Sequence, residues 1–122
     1  RADEEKLKEI ETLVLSPNLA PWLLRQDLPK LGFYLAKEVL VEENGHSYEV
    51  LLFCRGESAN LTEEEVYFGQ FLAHLPETRE YFLKRRQRDY YKIACMEKTK
   101  NQVLVREEID RLKQLWKWWE ND

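Results

Sequence analysis

An α+β domain is the fold class this sequence predicts, and three observations carry the prediction. Two runs rich in Val, Leu, Phe and Tyr between Gly32 and Arg55 flank Glu43-Asn44-Gly45-His46. Its Asn-Gly pair tolerates the positive φ angles that a tight hairpin turn demands. Several other segments repeat apolar residues at spacings of three and four, the mark of amphipathic helices. Nothing resembling an internal repeat or linker divides the 122 residues. A single domain over 1–122 is therefore expected, with a small antiparallel sheet packed against four to five helices. The sheet would hold a central hairpin at about 33–55 and possess room for a further strand at 90–97.

The elements follow in chain order. Residues 4 to about 15 place Leu7, Ile10, Leu13 and Val14 on one face, which predicts a first helix ended by Ser16-Pro17-Asn18, because proline disfavours helical geometry in the residue before it. Pro21 suits an early helical position, so Trp22, Leu23 and Leu24 begin a short helix closing near Leu28-Pro29. In the second run of the hairpin Tyr48, Val50, Leu52 and Cys54 face one way and Glu49, Leu51, Phe53 and Arg55 the other. Both sets are mainly apolar toward the end, as expected of a central strand.

Thr62-Glu63-Glu64-Glu65 fits a capping box, with an acidic first turn that complements the helix dipole. A helix over 63–75 is expected after it, and Pro76 restarts a second that runs to about Asp89. Residues 90–97 alternate Tyr91, Ile93 and Cys95 against Lys92, Ala94 and Met96. That pattern favours a strand, although the same residues also suit a continued helix. From Val103 to about Glu120 the stripe Val105, Ile109, Leu112, Leu115, Trp116 and Trp119 predicts a last helix.

Composition narrows the function classes. Hydrophobic residues make up 43% and charged residues 34%, with four Gly and four Pro, which excludes collagen-like and low-complexity chains. A domain of this size buries roughly two-thirds of its unfolded surface, so it needs no covalent staple. The two cysteines, Cys54 and Cys95, match neither a disulfide scaffold nor a CxxC site and favour a reducing compartment such as the cytoplasm. No apolar stretch is long enough to span a bilayer. The chain opens with Arg1, and its one methionine is Met96; a removed leader or a flanking domain is the expectation drawn from that.

The strongest functional signal is a basic, aromatic island. Residues 81–92 hold five Lys/Arg against one Asp, a net +4, while the rest of the chain carries 14 basic against 22 acidic residues, a net −8. On a helix Tyr81, Lys84, Arg85 and Arg88 share one arc, at positions i, i+3, i+4 and i+7. Lys92 joins them if the helix extends that far, and Trp118, off the stripe of the last helix, is a further contact candidate. Such a face can steer toward an acidic protein surface or contact phosphates while a tyrosine stacks on a base.

Chemical motifs are sparse. His46 and His74 have no partner at zinc-ligand spacing, so no metal and no cofactor are expected. Cys54 with His74 could be drawn as a thiolate and its base, but a strand cysteine acting as a small hydrophobe is favoured. Neither a Gly-x-Ser-x-Gly elbow nor a phosphate-cradling glycine loop is present. Asn60-Leu61-Thr62 matches a glycosylation sequon, yet Thr62 is already explained as a cap. The leading expectation is a non-enzymatic interaction module, an accessory, adaptor or assembly factor docking an acidic partner. A single-stranded nucleic-acid binder using the same face is the first alternative, and a small Cys- or carboxylate-dependent hydrolase or nuclease the second.

Overall fold

The computed structural model describes residues 11–16, 20–99 and 102–121. They divide into two compact units, Arg1–Ala73 and His74–Asp122. The first unit contains strands β1 (Thr12–Leu15), β2 (Phe33–Glu43) and β3 (His46–Arg55) and helices α1 (Pro21–Asp27) and α2 (Glu63–Phe68). The second contains α3 (Arg79–Glu97) and α4 (Gln102–Asn121), with a 3-10 turn at Pro76–Thr78 leading into α3. The α+β class and the small antiparallel sheet are as expected.

The hairpin forms where the sequence places it, with Asn44 and Gly45 at φ 53° and 79° in its turn. Strand order is β1-β3-β2, all antiparallel, so β3 is the central strand. Its pairs Leu13↔Phe53, Leu15↔Leu51 and Leu35↔Phe53 put these side chains on one face. There Leu28, Phe33, Leu35, Leu51 and Phe53 form a buried cluster, with Leu13, Leu15 and Leu24 packed against it. The opposite residues Tyr48, Val50, Leu52 and Cys54 are half-buried.

A bulge between Leu35 and Lys37 resets the alternation of β2. Before it Phe33 and Leu35 face the core; after it Glu38 does, paired with Leu51. One extra residue thereby turns a carboxylate inward. Arg25, from the last turn of α1, meets it: Nε donates to Glu38 Oε2 at 2.5 Å, and Nη2 donates to Glu49 Oε1. All three residues are buried. Burial opposes the charge on Arg25, but the two carboxylates outweigh it and raise the guanidinium pKa.

Three expectations are corrected here. Residues 12–15 are strand β1, not the end of a first helix; the remainder of that helix, at 4–10, lies outside the described residues. Thr and Val suit a strand, and β3 offers an edge to pair with, so tertiary pairing overrides an ambiguous period. Helix α2 stops at Phe68 rather than 75, because Gly69 takes φ 105° and Glu38 Oε1 accepts from the N–H groups of Phe71 and Leu72, at 2.6 and 3.3 Å. Finally, residues 90–97 continue α3 as helix instead of forming a strand. Ile93 falls 11 residues after Phe82, close to three full helical turns, and both are buried.

In the second unit α3 and α4 pack as a helical hairpin. Trp116 is fully buried and its Nε1 donates to Asp89 Oδ2 at 2.8 Å. Trp116 and Trp119 meet edge to face at 5.5 Å, and Phe82 lies 6.0 Å from Trp119. The capping box of Thr62 and Glu65 is formed as read from the sequence, both bonds present. No helix among the described residues is long and apolar enough to cross a membrane.

Candidate nucleic-acid interface

Helix α3 spans 19 residues, roughly 28 Å at 1.5 Å per residue. Its inward stripe holds Phe82, Arg85 and Ile93, all buried. At 100° per residue Lys84, Arg88, Tyr91, Lys92 and Cys95 fall within an adjoining arc of about 100°, and all five are exposed. Lys98 caps the helix just beyond them.

Charge on this hairpin is sorted only in part, because Glu80, four residues before Lys84, is also exposed. Two of the acids of α3 are engaged with α4: Asp89 accepts from Trp116, and Glu97 pairs with Lys113 at 3.6 Å. Arg86 is used the same way, donating to Glu120 Oε1 at 2.8 Å while Tyr90 Oη donates to that oxygen at 3.1 Å. Burial, then the bond to Glu120, raises the pKa of Tyr90. Lys84, Arg88 and Lys92 form no ion pair with another described residue. The second unit carries 12 Lys/Arg against nine Asp/Glu, net +3, while the first carries seven against 14, net −7. An outward row of unpaired cations on a rigid helix holds positive potential where a phosphate backbone can reach it.

The residues singled out in the sequence separate accordingly. Lys84, Arg88 and Lys92 stand together on the exposed face, Lys92 because the helix continues. Arg85 does not join them: it is 5% exposed, with its guanidinium 5.3 Å from the Phe82 ring and 5.8 Å from that of Tyr81. Tyr81 is half-buried and meets Phe82 edge to face at 5.2 Å. Trp118 is half-buried against His74, ring centroids 4.8 Å apart. The aromatic that does lie in the cationic row is Tyr91, 74% exposed. The strand pattern at 90–97 hid it; its i+3 spacing from Arg88 was the available signal.

A cavity of about 390 Å³ in the first unit is lined by Arg25, Gln26, Pro29, Lys30, the loop 58–61 and Val66. Two cations and no carboxylate line it. Two glycines mark close approaches within the first unit. A Cβ at Gly69 would meet Arg25 Nη2 and Glu38 Oε1 at 2.9 Å, and one at Gly56 would meet the Tyr34 ring at 3.0 Å. These glycines admit the protein's own side chains.

Comparison with known proteins supplies the context. A family model described as TrmK, tRNA (adenine(22)-N(1))-methyltransferase, matches residues 1–117. No curated protein matches. Among solved structures, a Streptococcus pneumoniae protein in complex with S-adenosyl-L-methionine is 26% identical, with TM-score 0.71 over 93% of this chain and 51% of that one. The B. subtilis m1A22 tRNA methyltransferase TrmK is 24% identical, TM-score 0.71, over 87% and 50%. M. capricolum TrmK, in complex with S-adenosyl-homocysteine, is 17% identical, TM-score 0.71, over 95% and 54%. The chain thus spans about half the length of the solved structures it matches.

These matches overturn the expectation of a non-enzymatic accessory module docked on an acidic protein, and the hydrolase or nuclease alternative with it. The family is one of enzymes, and their named substrate is a tRNA. By the match over residues 1–117, this chain belongs to the TrmK family of tRNA (adenine(22)-N(1))-methyltransferases.

Proposed function

We propose that this chain works within a tRNA adenine-N1 methyltransferase as the part that engages the tRNA, through the exposed face of α3. The observation that carries this is the row Lys84, Arg88 and Lys92, exposed and unpaired with other described residues, on a helix with two of its three acids, Asp89 and Glu97, turned to α4. Cations fixed on one side of a helix position a polyanion without reading its sequence. The family's named substrate and the net +3 of the helical hairpin both support that use. The role proposed is substrate binding.

The test is a salt titration of tRNA binding by the chain, followed by fluorescence anisotropy. Each phosphate contact contributes about 0.7–0.9 to the slope of log K against log salt. The triple variant K84E/R88E/K92E is expected to weaken binding at low salt and to reduce that slope by about 2–3. An unchanged slope would remove these residues from the interface.

A further inference from the structure

Resting on that reading, we infer that Tyr91 stacks on an unpaired nucleotide of the RNA while Arg88 and Lys92 hold the phosphates beside it, so that α3 recognises an unstacked base and not a continuous duplex.

The geometry sets this residue apart from every other aromatic of its unit. Tyr81 packs on Phe82, Trp116 and Trp119 fill the hairpin interior, and Trp118 covers His74. Tyr90 is tied by its hydroxyl to Glu120. Tyr91 is 74% exposed and has no ring contact or hydrogen bond with another described residue. Its helical neighbours differ on its two sides. Toward the N-terminus, the direction in which helical side chains lean, stand Gln87 and Arg88 at i−4 and i−3. Toward the C-terminus stand Ala94 and Cys95, at i+3 and i+4. The small side chains of Ala94 and Cys95 leave room beside Tyr91 for a planar group.

A phenol ring offers little to a phosphate and much to a base, because stacking buries its apolar face. In a paired A-form stem the bases are stacked on one another and present no free face to such a ring; loops, bulges and extruded nucleotides do. Cations at −7, −3 and +1 around an aromatic on one helix therefore suit a segment where a base leaves the stack between phosphates. Stacking tolerates any base identity, so the recognition is of the unstacked state.

The experiment measures the affinity of the full chain for three probes: a tRNA transcript, a fully paired RNA duplex of similar length, and the same duplex with one unpaired adenine. Wild type, Y91A, Y91F and Y91W are compared. Y91A is expected to bind the tRNA and the bulged duplex roughly 5- to 150-fold more weakly, with the salt slope unchanged and paired-duplex binding unaltered. Y91F and Y91W retain affinity, because each keeps a stacking face. Equal loss on all three probes, or no loss on any, overturns the inference. Failure of the underlying reading looks different: K84E/R88E/K92E then leaves the salt slope unchanged, or the wild-type chain binds no tRNA, and both proposals fall. If the triple variant weakens binding while Y91A does not, the Tyr91 inference alone is wrong.

Discussion

Replacing Arg25 by Met keeps the length of the side chain and removes the one cation between two buried carboxylates. In the native fold Arg25 Nε donates to Glu38 at 2.5 Å, Nη2 to Glu49, and Nη1 to the Val66 carbonyl at 3.4 Å. Removing one partner of a buried ion pair typically costs about 3–5 kcal/mol, since a charge is left in a low-dielectric interior. Here two carboxylates lose the partner, but Glu38 keeps the amides of Phe71 and Leu72. A loss of about 3–4 kcal/mol results, out of a total on the order of 5–15 kcal/mol. In urea, with an m-value of about 1–3 kcal/mol/M, the midpoint falls by roughly 1–4 M. Circular dichroism at 222 nm reads the transition. Adding E49Q to R25M removes one of the stranded charges and is expected to recover more than about 1 kcal/mol. A deficit in R25M below about 1 kcal/mol, or no recovery in the double variant, would refute the view that the triad is held together by charge.

Other consequences follow from single contacts. Thr62→Ala deletes the bond from Glu65 N–H to Thr62 Oγ1, so the melting temperature should fall in step with a loss of about 1 kcal/mol. Gly69→Ala adds a Cβ 2.9 Å from both Arg25 Nη2 and Glu38 Oε1, at φ 105°; strain and clash together cost at least about 2 kcal/mol, read by the same denaturation. Tyr90 has a raised pKa, from burial and then Glu120, so the folded state holds that proton more tightly than the unfolded one. Its contribution is complete below the ordinary tyrosine value and is lost as pH rises above about 10. Tyr90→Phe should accordingly lose less stability than wild type between pH 9 and about 11, and identical pH profiles would refute the assignment.

Local rules made much of this chain legible. The Asn44-Gly45 turn, the Thr62 capping box, the helical start at Pro21 and the long stripe through Trp116 and Trp119 each depend on residues within one or two turns of one another. The cationic face was visible only in part: Lys84 and Arg88 stand on it as read, while Arg85 and Tyr81, grouped with them, are buried and half-buried. What stayed hidden depends on distant partners. Thr12–Leu15 reads as helix until the edge of β3 is there to pair with it. A helix to residue 75 is expected until Glu38, more than 30 residues earlier, takes the amides that would have continued it.

By itself, then, the sequence determined the α+β class, the hairpin and its register-setting turn, and the existence of a positive helix in an acidic chain. Tertiary structure decided which charges are spent and which remain available. It buried Arg25 between Glu38 and Glu49, sank Arg85 against aromatic rings, tied Arg86 to Glu120, and left Lys84, Arg88 and Lys92 outward with Tyr91 among them. The physical reason is that helical period states only which residues share a face. Whether that face meets water or a neighbouring element depends on packing, and burial determines whether a guanidinium is a structural tie or a free hand for phosphate.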